Sequence, residues 1–484
     1  MSIVQLPIEI LKDIFSRLDD QDEREYADNG YPSLYALALT CRRISDVAIN
    51  LLYRHVKLEV NGPSANAKDF ERTKAFNQCC HSAPYLINRI QSMELRWFCE
   101  TGEYNELLGI MAKSTSLWKL QSNLSHWKWH EIPALYDYTE GSFPHLKELE
   151  IALHDVGGKT GYLPAEQVAK LCELPSLETL TVIAPVGGTR TDVKREAVLP
   201  KLKTLQFYQC RPVSVDVLTS ILPRASNLTR LELSVPGDAT EVNRKMADNM
   251  SSRGYDLDEP LRPSFYGKLI SSRAATLKYL TIDTDNVLFP SHDGSRIDLS
   301  GFTVMSKAIL SPYLLFGSGK TASSSPWAQD AWKNLPPRLE SLELLFQGEM
   351  GLFWSLSDMR KHARAKTFDQ LWVERHSTHH VAWLVDLLKN LGGTNSLRDL
   401  TLTADALVDR DQNWKIVKWH MTDYLKAVSD VARVELQITL LVPRTFDSPE
   451  FEVVDEAGAY GSAGTVDYEL NPDQPVVQND HDPW

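Results

Sequence analysis

The chain has 484 residues, 43% of them hydrophobic and 24% charged, with a formal net charge of −13. This is the composition of a soluble globular protein able to bury a core, either of roughly two to four domains or one extended repeat array. The acidic balance argues against a nucleic-acid binder that works by neutralising phosphates, and no apolar run approaches the ~18–20 residues of a membrane span.

The N-terminus has no basic region leading into an apolar core, so no secretory signal is expected. Six cysteines (Cys41, Cys79, Cys80, Cys99, Cys172 and Cys210) form no Cys-x-x-Cys pair. Together these features imply a reducing compartment, cytoplasm or nucleus, with free thiols.

The first element is a helix in LPIEILKDIFSRL, residues 6–18. Ile10, Leu11, Ile14, Phe15 and Leu18 fall at helical spacing on one apolar stripe. Pro7 suits a first turn, where its missing N–H costs nothing, and Glu9 there favours the helix dipole. A polar stretch follows, rich in acids and breakers. The next segment, from Leu34 to Leu58, is apolar on too many faces for one solvent-backed helix, so it is two helices or a segment with contacts on both sides. A short bundle cannot bury all this apolar surface internally, and leftover apolar surface on a small module marks a partner site. The alternative is a bundle that only caps the following domain.

Three stretches carry a resemblance: Leu6-Pro7-x-Glu9-Ile10-Leu11-x-x-Ile14-Phe15-x-x-Leu18, Leu37-x-Leu39-x-Cys41-Arg42-Arg43, and Leu51-Leu52-Tyr53-x-x-Val56. They resemble the F-box, a three-helix module that docks on the Skp adaptor of SCF-type ubiquitin ligases. The likeness covers residues 3–58. It departs from the family in a longer connection between the first two helices and in Ile44, where a bulky aromatic is common. The resemblance implies an adaptor contact through Leu6, Pro7, Ile10, Ile14, Phe15, Leu37, Leu39, Cys41, Arg42, Leu52 and Tyr53. Leu11 and Leu18 would pack inward, against the second segment.

From about residue 85 a strand-like Leu-x-x-Leu-x-Leu unit recurs, with helical runs between copies. It reads at Ile90-x-x-Met93-x-Leu95, Leu146-x-x-Leu149-x-Ile151, Leu177-x-x-Leu180-x-Val182 and Leu202-x-x-Leu205-x-Phe207. Further copies are Leu228-x-x-Leu231-x-Leu233, Leu277-x-x-Leu280-x-Ile282, Leu339-x-x-Leu342-x-Leu344 and Leu397-x-x-Leu400-x-Leu402, with weaker ones near Leu117, Met305 and Val431. The closest starts are 25 to 31 residues apart. One strand plus one helix at this period is the signature of a leucine-rich-repeat solenoid, whose units bury their apolar faces only by stacking. An F-box followed by degenerate leucine-rich repeats and a loose tail resembles the large F-box families of filamentous fungi.

The fold class is therefore α/β: a helical F-box module over residues 1–60, then an irregular solenoid over 61–444, a curved parallel sheet with outer helices. Insertions are expected near 236–263, 317–334 and 346–385. Residues 447–484 hold ten Asp or Glu and no Lys or Arg, so 445–484 reads as a disordered acidic tail.

Side chains alternate along a strand, so positions between and beside the last two apolar residues of each unit point away from the core. This gives a target-binding face that includes Glu94, Glu148, Glu150, Gln206, Tyr208, Arg230, Glu232, Asp283, Glu343 and Asp399. Its acidic bias hints at a basic peptide or protein target.

Other motifs carry little. GSGKT at 317–321 lacks the first glycine of a phosphate loop, because that position is Leu314. His376, His379 and His380 have no cysteine nearby and an acid, Glu374, off their face, so a metal site is not expected. Cys79 and Cys80 read as helix packing. No catalytic constellation or cofactor site is apparent. The sequence reading is a non-enzymatic, monomeric substrate receptor that meets the Skp adaptor, through it a cullin, and an unknown protein target, without nucleic acid or membrane.

Overall fold

The computed structural model describes residues 7–22, 32–59, 67–98, 101–124, 142–153, 163–183, 186–187, 198–208, 215–234, 262–283, 293–316, 330–346, 382–394, 396–405, 414–421, 423–443 and 451–455. The protein is mixed α/β, with a helical module at the N-terminal end of a long, largely parallel sheet.

The module comprises α1 (Ile8–Asp22), α2 (Pro32–Ala38) and α3 (Arg42–Leu52). Pro7 stands just before α1, where its carbonyl accepts the Leu11 N–H at 3.1 Å. Cys41 ends the turn before α3 in extended backbone, and its carbonyl takes the Ser45 N–H at 2.8 Å. Leu11 and Phe15 of α1, Leu34 of α2, and Ile44, Val47 and Leu51 of α3 close one small core. Their i, i+3 and i, i+4 spacings put them on facing stripes.

Among the described residues the main sheet has fourteen strands. Twelve run parallel and in chain order: β1 (His55–Glu59), β2 (Ser92–Phe98), β3 (Lys119–Leu124), β4 (Glu148–Leu153), β6 (Thr179–Ile183), β8 (Thr204–Tyr208), β9 (Arg230–Ser234), β10 (Tyr279–Asp283), β11 (Lys307–Leu310), β12 (Ser341–Phe346), β13 (Asp399–Asp405) and β15 (Glu435–Pro443). Antiparallel β14 (Trp414–Trp419) and β16 (Phe451–Asp455) complete the far end. Two-residue strands β5 (Leu163–Pro164) and β7 (Val186–Gly187) pair separately.

Between strands lie α4 (Ala67–Ser82), α5 (Thr101–Met111), α6 (Ala165–Leu171), α7 (Val215–Ile221), α8 (Pro263–Ser271), α9 (Pro312–Phe316), α10 (Ala382–Thr394) and α11 (Asp423–Ala432). Their apolar residues share one continuous core with the inward side chains of the strands, among them Leu107 of α5, Leu218 of α7, Ile270 of α8 and Leu388 of α10. Helices therefore cover one face of the sheet.

Each copy of the sequence unit lies on a strand, and the weaker copies near Leu117 and Met305 lead into β3 and β11. The stack has a repeated backbone device. Just before each parallel strand of the main sheet from β1 to β12 one carbonyl accepts two N–H groups from the next copy, as in Trp118 O from Lys147 and Glu148 at 2.8 and 2.9 Å, Lys147 O from Glu178 and Thr179 at 2.8 and 2.9 Å, and Glu178 O from Lys203 and Thr204 at 2.8 and 3.0 Å. The turn carbonyl thereby fixes the parallel register before the ladder proper begins.

The same device places the first copy earlier than the sequence suggested. Arg54 O accepts from Gln91 and Ser92, both at 3.0 Å, so Tyr53 stands where Ile90, Leu117 and Leu146 stand in later copies. The stack begins at Tyr53, not near residue 85. A tyrosine in the first leucine position, inside the F-box-like pattern, hid it.

Three other boundaries are corrected. The insertion expected over 317–334 stops earlier, because Ala331–Asn334 is a 3-10 turn with Ala331 buried in the main core. The one expected over 346–385 is shorter at both ends, since Phe346 ends β12 and Leu384 and Val385 of α10 are core residues. The tail expected from 445 contains β16, which pairs Phe451 with Trp419 and Val453 with Val417. Alternating apolar residues form that strand despite the acids around them.

Substituting Leu231, fully buried on β9, by Ala is expected to cost about 2–5 kcal/mol, the cost of a core cavity. Thr179→Ala, on the outward side of β6, is expected to stay within about 0.5 kcal/mol. Thermal and urea unfolding of the two variants test this alternation directly.

Candidate functional site

Two surfaces stand out: a face of the helical module and the outward face of the sheet. Successive residues of an α-helix are rotated by about 100°, so the apolar residues of α1 span an arc of about 160° from Ile10 through Ile14, Leu11 and Phe15 to Ile8. The module buries only the middle of that arc. Leu11 and Phe15 are enclosed, while Ile8, Ile10 and Ile14 remain 41%, 46% and 38% exposed. On α2 and its following turn, Tyr35 and Leu39 are 62% and 71% exposed. Pro7 and Arg42 are exposed as well.

The residues expected at a partner contact therefore divide. Pro7, Ile10, Ile14, Leu39 and Arg42 are on the surface. Phe15 is corrected: it is 1% exposed and fills the module core with Leu11. Leu37, Cys41 and Leu52 are half-buried against that core. Leu6 lies outside the described residues. Ile8 and Tyr35 belong to the exposed apolar set and were missed, Ile8 because it lies at the edge of the five-residue stripe formed by Ile10, Leu11, Ile14, Phe15 and Leu18, Tyr35 because its segment is apolar on every side.

Tyr53 is also corrected. It packs against the main core, not toward solvent. Its ring stacks on Phe76 of α4, with centroids 6.3 Å apart, and its hydroxyl lies 3.4 Å from Cys79 Sγ. Burial, together with the Cys79 contact, pushes the phenol well above its ordinary value. Burial similarly pushes the Cys80 thiol up to about 11, so it is a packing residue. Only Tyr53 and Arg54 separate α3 from β1; Tyr53 is held against α4, and Arg54 O by the Gln91 and Ser92 N–H groups at the start of β2.

The outward face carries the polar positions of each strand in register. Glu94 pairs with Gln121, Gln121 with Glu150, Glu150 with Thr181, and Thr181 with Gln206 across successive strands. Most charges on the earlier strands are met. Glu94 binds Arg96, Glu148 lies 3.8 Å from Lys119, and Gln121 donates to Glu150 at 3.1 Å.

The densest cluster joins β6, β8 and β9. Thr181 donates to Gln206 at 2.8 Å, Gln206 donates to Glu232 at 2.9 Å, and Tyr208 and Arg230 both bond the Glu232 carboxylate. Glu232 is thus corrected from a free surface acid to a residue only 7% exposed. Burial pulls its carboxyl upward, but the bonds from Tyr208, Gln206 and Arg230 and the Arg230 charge outweigh this and hold it below the usual range. Burial and the Glu232 bond raise the Tyr208 phenol. The cluster is internally satisfied and orders the face. Asp283, Glu343 and Asp399 lie farther along, on β10, β12 and β13.

Among the described residues no group of three His, Cys, Asp or Glu is placed to hold a metal ion, and no helix is long and apolar enough to cross a membrane. His376, His379, His380 and the GSGKT loop lie outside the described residues. Leu314, where a phosphate loop needs glycine, is fully buried in α9.

Residues 3–59 match the F-box-like family. The matched segment contains all three helices and ends with the last residue of β1. No curated protein matches the chain. The chain thus carries an F-box-like domain, and such domains typically bind the Skp adaptor and thereby the cullin complex.

The depressed carboxyl of Glu232 contributes stability above its unfolded value, near 4.5, and that contribution is lost as pH falls through the folded value. Glu232→Gln is therefore expected to lower the melting temperature at neutral pH and to flatten its fall between roughly pH 6 and pH 3. Melting curves across that range check it; a difference independent of pH would rule this role out.

Proposed function

We propose that this protein is a substrate-receptor subunit of an SCF-type ubiquitin ligase. The F-box-like module docks on the Skp adaptor, and the sheet presents a protein target. The observation that carries the reading is the apolar rim of Ile8, Ile10, Ile14, Tyr35 and Leu39, left exposed inside the segment that matches the F-box-like family. Covering the exposed remainder of each such side chain contributes up to about 1 kcal/mol for the isoleucines and somewhat more for Leu39 and Tyr35, so a partner covering all five has an apolar anchor at this rim.

We read the parallel stack as an irregular leucine-rich-repeat solenoid of the kind found in fungal F-box families. Support comes from the 25-to-31-residue interval of the closest copies and from the strand on each copy. In this reading the chain is no enzyme and needs no cofactor. It is monomeric outside its complex and works in the cytoplasm or nucleus. The chemistry of ubiquitin transfer belongs to partner subunits, while this chain raises the effective concentration of a target lysine.

The rival, a scaffold whose helices only cap the stack, draws on one observation: Tyr53 packs on the main core. Capping uses α3, however, and leaves the rim on α1 and α2 without a role.

Purified full-length chain is expected to capture the Skp adaptor. Ile10→Asp with Ile14→Asp, and separately Leu39→Asp, should weaken capture at least about tenfold, the scale of interface hot spots, with little change in melting temperature, because these side chains are exposed and lie outside the module's own core. Undiminished capture by both variants, or none by the unaltered chain, would remove the ligase reading.

A further inference from the structure

The outward face changes character after β9. Thr281 of β10 is paired in register with Ile309 of β11, and Ile309 with Glu343 of β12. Tyr279 lies two residues before Thr281, and Leu345 two residues after Glu343. Tyr279, Ile309 and Leu345 therefore form a diagonal across three neighbouring parallel strands, with steps of about 8 Å set by strand spacing and residue rise. Tyr279 is 45% exposed, and Ile309 and Leu345 are half-buried. This is an apolar stripe on the face opposite the helices, where it adds nothing to the core.

The charges beside it also differ from those on earlier strands. Glu94, Glu148 and Glu232 each have a basic partner. Glu343, Asp399 and Glu435 make no ion pair among the described residues, and Asp399 and Glu435 are directly paired in register on β13 and β15. Like charges side by side on a sheet destabilise it. Among the described residues, the outward side chains of β11 through β13 and β15 include three carboxylates (Glu343, Asp399 and Glu435) and one base, Lys307.

We propose that this patch is the target-docking centre and that it takes an extended protein segment with an apolar residue flanked by Lys or Arg. The apolar side chain packs over Tyr279, Ile309 and Leu345, and the flanking cation meets Glu343 and Asp399. An aromatic anchor with apolar neighbours and a charged rim is the anatomy of a protein interface. The excess negative charge selects a basic partner over an acidic one. A second copy of the same face is disfavoured, since it brings like charges together. The biological meaning rests on the receptor reading above; the contact itself does not.

The test uses the full-length protein and a short labelled peptide alternating Leu and Lys, with two controls: Ser in place of each Leu, and Glu in place of each Lys. Fluorescence anisotropy should show the Leu/Lys peptide binding at least about tenfold more tightly than either control. Tyr279→Ala, Glu343→Lys and Asp399→Lys should each weaken it by about tenfold, the scale of an interface hot spot. All three positions are at least partly exposed, and melting temperature in each variant verifies folding. Equal binding of the Ser control would reduce the patch to diffuse attraction and overturn the proposal. So would unchanged affinity in the variants, or no binding at all, as when another segment of the chain covers the patch. Adaptor capture, measured on the same samples, should be unchanged. If the unaltered chain fails to capture adaptor yet binds the peptide, the receptor reading falls and the docking patch stands.

Discussion

The structure depends on parallel registration of units that cannot fold alone. Each strand offers two inward side chains, such as Leu149 and Ile151 or Leu205 and Phe207, and these are buried only when neighbours stand level with them. A slip of one residue would turn every leucine to solvent and every glutamate inward. The shared turn carbonyl, taking two N–H groups from the next unit, guards against that slip at every step up to β13; at β15 Arg398 O takes the Glu435 N–H alone. Because it is made of backbone, it survives wide variation in side chains and spacing. Copies 25 and 58 residues apart consequently join the same ladder.

That ladder also explains how the helical module is mounted. Tyr53 follows α3 directly and occupies the first apolar position of the first unit. The stack therefore starts without a linker, and Arg54 O is already engaged by Gln91 and Ser92. Tyr53 on Phe76 and Cys79 ties the end of α3 to α4 as well. In the receptor reading proposed above, such a joint matters, since a loose connection would dilute the effective concentration that positioning provides. The buried half of the α1 stripe holds the module together; the exposed half faces away from its own core.

Much of this was legible in the sequence, because a leucine pattern of fixed internal spacing reports both strand and inward face at once. Even the weak copies at Leu117 and Met305 lie in register. The failures have identifiable causes. Phe15 and Ile10 belong to one broad apolar arc, and spacing alone cannot say which part of a wide arc faces its own bundle. Tyr53 fitted two patterns, and the longer one claimed it. Phe451, Val453 and Val454 were averaged into an acidic tail, although strand pairing depends on alternation over five residues and not on net charge over forty. Glu232 sits where alternation puts it, on the outward side, yet it is buried, because sequence order does not reveal that Gln206, Tyr208 and Arg230 converge on it from neighbouring strands.

The outward face consequently has two physical regimes. On the earlier strands charge is matched locally, and the Glu232 cluster is so well satisfied that a partner would have to break several good bonds to use it. Buried, fully bonded carboxylates are poor recognition groups for that reason. On β12, β13 and β15 the matching stops: Glu343, Asp399 and Glu435 make no ion pair among the described residues. Asp399 beside Glu435 costs a few tenths of a kcal/mol or more, on the scale of cross-strand pairs, and no ion pair among the described residues offsets it. A stack stabilised by its leucines tolerates such a cost on its solvent side without losing register. The positions least constrained by folding are thus those with alternating polar outward side chains and no bonded partner, and it is these that can vary while the ladder beneath stays fixed.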